Sequence, residues 1–486
     1  MPDTDSFAAS AFDLLGSAGW TTDPDVMQPW LTDWRGRYEG RAIGLASPDT
    51  TGQLSALVAL CARHRVPIVP QGGNSSMSGG ATPDSTGRSV LLSLRRMNCI
   101  RDLDEVAQQV VCEAGVVLQE LHEAAAKHRL RFPLTLGGKG SATVGGLIAT
   151  NAGGTQVLRH GTMRAQVLGI EAVLADGSVL DLLPHLKKDN RGFDLKQLFI
   201  GSEGTLGIVT AARLRLLREV QERVVVWAGL ETPSAAARLL DRAQSRCGEA
   251  LEGFEILPDS CLSAVLAYIP DARRPISGEA PWHALLEFVS DNAASPSPFP
   301  IVTDLLEEAL DAQIILDAAI AQNEAQAQSF WDLRDNISPA ERAAGPAMQH
   351  DISVPVERMA AFIEAAIPRI ETEFSGTRAL AFGHLGDGNV HFHVQAPKGV
   401  QRAAWENGEG KRISAAVHDL VTGWRGSISA EHGIGQMKLD ELERLHDPAA
   451  LKVMHAVKSA LDPEGLLNPG KLVNPAANLA PPGTNA

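Results

Sequence analysis

Pro70-Gln71-Gly72-Gly73-Asn74-Ser75-Ser76-Met77-Ser78-Gly79-Gly80 follows directly on residues 67–70, a short apolar run that reads as a strand. Glycine tolerates positive φ and close backbone approach, so the N–H groups of such a turn can converge on a pyrophosphate, with the hydroxyl side chains adding donors. The spacing is not G-x-G-x-x-G, so it does not support a Rossmann dinucleotide site. Taken alone, the stretch is as well explained as a surface loop. Two further segments shift the balance. Residues 137–154 (GGKGSATVGGLIATNAGG) carry few side chains larger than a methyl or hydroxyl, apart from Leu147 and Ile148. They would let backbone lie against a flat ligand over a long span. Residues 201–210 (GSEGTLGIVT) close with a β-branched strand able to set Ile208 and Val209 against an adenine. Three such loops, separated by ordinary strands, are hard to explain as linkers.

Outward from these loops, β-branched runs and helical spacings alternate. Leu54, Leu57, Val58 and Cys61 mark a helix before the first loop, and 89–94, 110–113, 167–175 and 179–182 read as strands, with a helix over 118–128. Asp176-Gly177 is a hairpin-turn signal. A second stretch begins near Glu219, with strands at 223–227 and 284–289, a helix over 234–246 and a Pro/Ser linker over 293–300. Helices over 408–424 and 448–461 form a third stretch, and the Pro-rich tail after Asn474 is expected to be disordered. The expected division is 1–45 (helical lead-in), 46–218, 219–425, 426–475 and 476–486 (tail).

Composition narrows the classes. With 486 residues, 44% hydrophobic and 21% charged, the chain reads as a soluble globular protein of two or three domains. A net charge of −15 without a basic stripe argues against nucleic-acid binding. Five scattered cysteines, with no C-x-x-C pair, argue against a disulfide framework. No secretory signal and no membrane-length apolar run is seen, so a cytoplasmic location is expected.

The densest chemistry lies at Gly383-His384-Leu385-Gly386-Asp387-Gly388-Asn389-Val390-His391-Phe392-His393-Val394. A Gly-Asp-Gly turn precedes an alternating strand that sets Asn389, His391 and His393 on one face and Val390, Phe392 and Val394 toward a core. Such a turn can bring His384 and His391 to one point, and imidazole is a common ligand of zinc-like ions. Two histidines alone are more often polar residues satisfied by neighbours. Glu431-His432, flanked by small residues in Ser429-Ala430-Glu431-His432-Gly433, could supply an anion or could be a solvated loop. Arg334 and Ser338 are four apart, as on one helix face, where a guanidinium and a hydroxyl could clamp a carboxylate; Arg334 could equally pair with Asp332 or Asp335.

The glycine segments resemble the FAD-binding domain of the vanillyl-alcohol oxidase and p-cresol methylhydroxylase superfamily, in its D-lactate, glycolate and D-2-hydroxyglutarate dehydrogenase branch. The likeness runs from about Ala46 to Leu472, and the runs 426–438 and 461–471 look most like the bacterial D-2-hydroxyglutarate dehydrogenases. The resemblance implies an α+β fold, with a two-part FAD-binding domain, an α+β substrate (cap) domain and a C-terminal helical segment. It implies that Pro70, Gln71, Gly72, Gly73, Asn74, Ser75, Gly79 and Gly80 hold the pyrophosphate. Thr143, Gly145, Gly146, Ala149, Thr150, Asn151 and Gly153 would line the flavin, Glu203, Gly204, Gly207 and Ile208 the adenosine end, and Asn468 would return to the flavin. His160 stands where many relatives carry Tyr, and no covalent flavin link is inferred from it.

The resemblance further implies a divalent metal, zinc, on His384, His391 and Glu431, with His432 as base, and Arg334, Ser338 and Asn389 as substrate binders. His393 is a rival third ligand, because it shares a face with His391. The implied reaction binds the substrate's C2 hydroxyl to the metal, passes its proton to His432 and a hydride from C2 to flavin N5. An electron-transfer flavoprotein or a quinone is the implied acceptor, and a homodimer the expected assembly. One departure bears on substrate: D-2-hydroxyglutarate enzymes tend to carry Lys where this chain has Gln349, and a neutral amide holds a second carboxylate less strongly. D-Lactate, glycolate and D-malate are therefore alternative substrates. A metal-dependent hydrolase, with the glycine loops on a phosphate ester, and a non-catalytic flavin-binding subunit are the readings from other classes.

Overall fold

The computed structural model describes residues 4–184, 186–292 and 296–473; the tail and part of the 293–300 linker lie outside the described residues. The chain divides into two compact units, one of Met1–Ala152, Thr162–Leu217 and His432–Ala486, the other of Gly153–Gly161 and Arg218–Glu431. The expected lead-in is not separate, since Phe7, Ala11 and Leu15 pack into the first unit's core with Trp20 and Leu54. The C-terminal division falls between Glu431 and His432 rather than at 425/426, and Gly153–Gly161 leaves the segment to which sequence had joined it.

The first unit carries two larger sheets. Strands β1 (Trp20–Thr21), β2 (Gly44–Ala46), β3 (Ile68–Gln71) and β4 (Val90–Ser93) lie in the order β1-β2-β4-β3. β2 and β3 each run parallel to β4. Between β2 and β3 runs the helix Thr51–His64, started by Thr50, whose hydroxyl accepts from Gln53 N at 3.2 Å. Its Leu54, Leu57, Val58 and Cys61 are buried, as the helical spacing predicts. Strands β5 (Ile100–Asp104), β6 (Gln109–Glu113), β7 (Val167–Val173), β8 (Val179–Asp181) and β9 (Ile208–Arg215) form an antiparallel sheet in the order β5-β6-β9-β7-β8. Gly177 turns the β7–β8 hairpin at φ +88°.

The second unit is built on one antiparallel sheet of seven strands: β10 (Glu222–Leu230), β11 (Leu251–Pro258), β12 (Trp282–Ser290), β13 (Asp317–Ile320), β14 (Ala347–Ser353), β15 (Arg378–His384) and β16 (Asn389–Gln395). Their order is β13-β10-β12-β11-β15-β16-β14. On one face Trp227, Leu257, Leu285, Leu380 and Phe382 form a core with Cys261 and Leu262, Phe330 and Leu333, and Ile337 from three helices. On the other face Phe392 meets Phe362 of the helix Met359–Glu373, with ring centroids 6.2 Å apart. No helix among the described residues is long and apolar enough to cross a membrane.

Candidate active site

Strand register assembles the site in the second unit. β15 and β16 are a hairpin in which His384 lies opposite Asn389 and Phe382 opposite His391. Gly388 closes the turn at φ +83°, and a Cβ there would stand 2.1 Å from the Val354 carbonyl oxygen, so the turn requires glycine. β11 sets Glu255 opposite His384, and β14 sets Asp351 opposite His391 and Gln349 opposite His393. Side chains directly opposite one another share a face, so four strands bring these seven polar residues to one face. Val390, Phe392 and Val394 point the other way and are fully buried.

His384, His391 and Glu431 each turn a ligand atom into a space where all three lie within 4.8 Å of one another. His384 donates or accepts at Nδ1 with Glu255, and its Nε2 lies 3.7 Å from Glu431 Oε1. Burial disfavours the His384 imidazolium, but the Glu255 charge and hydrogen bond outweigh it, raising its pKa to about 9. Burial, reinforced by the positive Arg334 and His384, drives His391 well below the ordinary histidine value despite nearby Asp351, leaving a neutral ring. Burial and the Asp351 charge push Glu431 up to about 7. Two nitrogen donors and a carboxylate crowded beside another acid suit a divalent cation, which supplies the missing positive charge.

Asp351 organises this group. It is 4% exposed, lies 3.7 Å from His391 Nδ1, and accepts from the Glu431 backbone N–H at 2.8 Å and from Asn389 Nδ2 at 2.8 Å. Asn389 Nδ2 also donates to the Ile352 carbonyl at 3.0 Å, which leaves only its buried Oδ1 without a partner among the described residues. Both Nδ2 hydrogens of Asn389, expected among the substrate binders, are thus taken up within the protein, where they fix Asp351. His393, the rival ligand, is turned instead to buried Glu341 through Nδ1, and the ligand cluster omits it.

Arg334 differs from the exposed residue that its acidic neighbours suggest. Its side chain is 14% exposed, its Nε donates to Glu255 Oε2 at 2.9 Å, and Asp335 stands off at 3.9 Å. Its Nη2 is buried without a partner among the described residues, a donor ready for an anion. Ser338 is not on the same helix. The helix Glu324–Asp335 stops at Asn336, and Ile337–Ala344 starts a second one, so the four-residue spacing does not set the two side chains on one face. Gly153 belongs to this unit, where a Cβ would stand 3.2 Å from Glu431 Oε1. His160, with Arg159, meets buried Glu252, at 3.3 Å and 2.9 Å respectively.

In the first unit the loops form a cradle of backbone. The amides of Gly72, Gly73, Asn74 and Ser75 donate to no acceptor among the described residues. A Cβ on Gly73 would stand 1.6 Å from the Ser141 carbonyl oxygen and one on Gly72 2.3 Å from Thr143 Oγ1, so two of the glycine segments lie against each other. The second segment is not a continuous loop. Val144–Thr150 is a helix, capped by Thr143 and ended by Asn151 at φ 50°; the local capping and the apolar Val144, Leu147 and Ile148 prevail over Gly145 and Gly146. Gly204 at φ +71° faces Pro70, and Gly207 packs on Phe199. Ile208 is 2% exposed in the apolar core and Val209 7%, so these side chains serve packing rather than an adenine.

Glu203 likewise points inward, accepting from Ile434 N at 2.7 Å and Gly435 N at 2.8 Å. Asn468 Nδ2 donates to the carbonyls of Gly80 (3.0 Å) and Glu203 (2.7 Å), joining the first and third loops. The buried Oδ1 of Asn468 and Oε1 of Gln71 have no partner among the described residues. Orphaned acceptors, free loop amides and a cleft too close for side chains fit a large nucleotide cofactor.

Residues 42–183 match the FAD binding domain and 219–472 the C-terminal domain of FAD linked oxidases. The chain is 34% identical over 461 residues to the mitochondrial D-2-hydroxyglutarate dehydrogenase of Arabidopsis thaliana, covering 95% of this chain and 80% of that one. It is 35% identical over 469 residues to the Rattus norvegicus enzyme of the same name, covering 95% and 84%. In fold it resembles p-cresol methylhydroxylase with substrate bound, with a TM-score of 0.77 at 15% identity, covering 98% and 97%. The two domains define an FAD-dependent oxidoreductase with the α+β fold of the vanillyl-alcohol oxidase and p-cresol methylhydroxylase superfamily. Within it, the chain belongs to the D-2-hydroxy-acid dehydrogenase branch of the FAD-linked oxidases.

Proposed function

We propose that the chain oxidises D-2-hydroxyglutarate to 2-oxoglutarate, using FAD and a divalent cation, zinc, held by His384, His391 and Glu431. The observation that carries this reading is the convergence of those three ligand atoms within 4.8 Å, on the sheet that also positions the unpartnered Nη2 of Arg334. When bound, FAD supplies a two-electron acceptor for the C2–H bond, and the cation supplies a Lewis acid for the C2 hydroxyl. Arg334 binds the C1 carboxylate, its guanidinium held in place by Glu255. Neutral His391 and Glu431, the latter fixed by Asp351, would hold the cation together with His384. His432, next in the chain to Glu431, takes the hydroxyl proton as general base. The free amides of Gly72 to Ser75 and the orphaned acceptors of Gln71 and Asn468 would hold the FAD.

The names of the relatives favour D-2-hydroxyglutarate over other acids. Gln349, beside His393 on the site face, favours the second reading, in which the same residues oxidise D-lactate, glycolate or D-malate. Electrons leave to an electron-transfer flavoprotein or a quinone, consistent with the lack of a G-x-G-x-x-G segment for a nicotinamide nucleotide. Two comparisons test the proposal. A chelator should remove activity while the flavin stays bound, with zinc restoring turnover. The kcat/KM for D-2-hydroxyglutarate should exceed that for D-lactate; the reverse order would move the assignment to the shorter acid.

A further inference from the structure

Glu255 has no place among the groups that touch substrate, cation or cofactor in the proposed function, yet it is 1% exposed and lies between two of them. Its Oε1 pairs with His384 Nδ1 and its Oε2 with Arg334 Nε at 2.9 Å. The pairing is built into the sheet, because Glu255 and His384 are direct cross-strand partners. Resting on that reading of the site, we propose that Glu255 is a positioning residue that orients the metal ligand His384 and the carboxylate clamp Arg334 together.

The chemistry of the three groups supports this. An ionised carboxylate only accepts hydrogen bonds, so the His384 nitrogen facing it carries the proton. The lone pair then lies at Nε2, the atom turned toward Glu431. The same carboxylate engages one edge of the Arg334 fork and leaves Nη2 buried without a partner among the described residues. A purely structural ion pair has no reason to keep such a donor. Buried Lys458, in the first unit, shows the contrast: its ammonium donates to the Thr205 carbonyl at 2.7 Å, Asp462 at 2.5 Å and the Leu467 carbonyl at 2.8 Å, using all three hydrogens. Glutamine in place of Glu255 would offer one acceptor and one NH2 to two donors, so His384 or Arg334 would lose its orientation.

The test uses the flavin-loaded protein, stripped of metal and titrated with Zn2+ against a chromophoric chelator. Glu255→Gln should weaken Zn2+ binding by roughly 10- to 100-fold. At saturating Zn2+ it should raise the KM for D-2-hydroxyglutarate more than it lowers kcat, with flavin content and spectrum unchanged. Glu255→Asp, which keeps the charge on a shorter stem, should fall between the two, and carries the test in the same direction if the glutamine variant does not fold. Wild-type Zn2+ affinity and wild-type KM in a folded variant would overturn the inference alone. Failure of the unsubstituted protein to bind Zn2+ would overturn the metal reading and this inference with it.

Discussion

Two buried glutamates, one in each unit, do opposite kinds of work. Glu203, 8% exposed and at φ 52°, is met by the backbone amides of Ile434 and Gly435. Burial raises its pKa, and those amides with the more distant charges of Lys438 and Lys471 only partly offset the rise. Glu255 is buried more deeply still, but the charges of Arg334 and His384 overcome the burial and hold it well below the usual carboxylate range. An acid held by neutral amides ties one stretch of backbone to another. An acid held by cationic side chains is part of a charged site. The first unit presents backbone to a ligand, and the second presents titratable groups.

The largest effect should follow from removing a ligand. Glu431→Gln or His384→Ala should lose the bound metal and at least about 100-fold in turnover, beyond the range typical of outer partners, while the flavin absorbance remains. Metal analysis beside the visible spectrum checks both halves. Next comes Arg334→Lys, which keeps the charge but not the planar fork. Loss of a charge-assisted bond of about 2 kcal/mol should raise the KM for D-2-hydroxy acids roughly 30-fold in steady-state assays. Glu203→Gln should act on the other side of the comparison, lowering thermal stability by about 1–2 kcal/mol and speeding flavin loss, as melting and dilution experiments would register.

Proton competition should be smaller and graded. Without metal, His384 (about 9) and Glu431 (about 7) both carry protons at pH 6. Zn2+ must displace them, so binding should release protons and tighten as pH rises from 6 toward 9. Affinity independent of pH over that window would contradict the arrangement. Gln349→Lys should give the smallest shift, an increase of about fivefold in preference for a dicarboxylate over D-lactate, equivalent to ~1 kcal/mol.

Legibility in the sequence follows the same division. The loop at 70–80 and the strands near 67–70, 89–94 and 110–113 were readable because their signals are local: turn glycines and β-branched runs. The helix expected at 234–246 is Pro233–Cys247, and that expected at 448–461 is Pro448–Leu461. β11 was not readable, because both faces of Leu251–Pro258 are buried and Glu252 and Glu255 interrupt its apolar pattern. β14, with its sequence AMQHDIS, shows no strand alternation either. Glu255 and Asp351 were therefore missed, although they organise the site. Only the register of four strands, drawn from residues 251–395, reveals what they face. The presence of Glu252 and Glu255 in one short apolar run was the available signal, since buried acids need partners. The break at Asn336 had a local signal in Pro339, which falls in the first turn of the second helix.

The central claim is that this flavoenzyme oxidises a D-2-hydroxy acid through the metal-ligand cluster of its second unit. Anaerobic titration of the flavin-loaded protein with D-2-hydroxyglutarate, with Zn2+ present and after chelation, tests it most directly. The account predicts stoichiometric bleaching of the flavin by the D-acid with Zn2+, and little by the L-acid or in the chelated protein. Equal bleaching after chelation, or none with Zn2+ present, would contradict it.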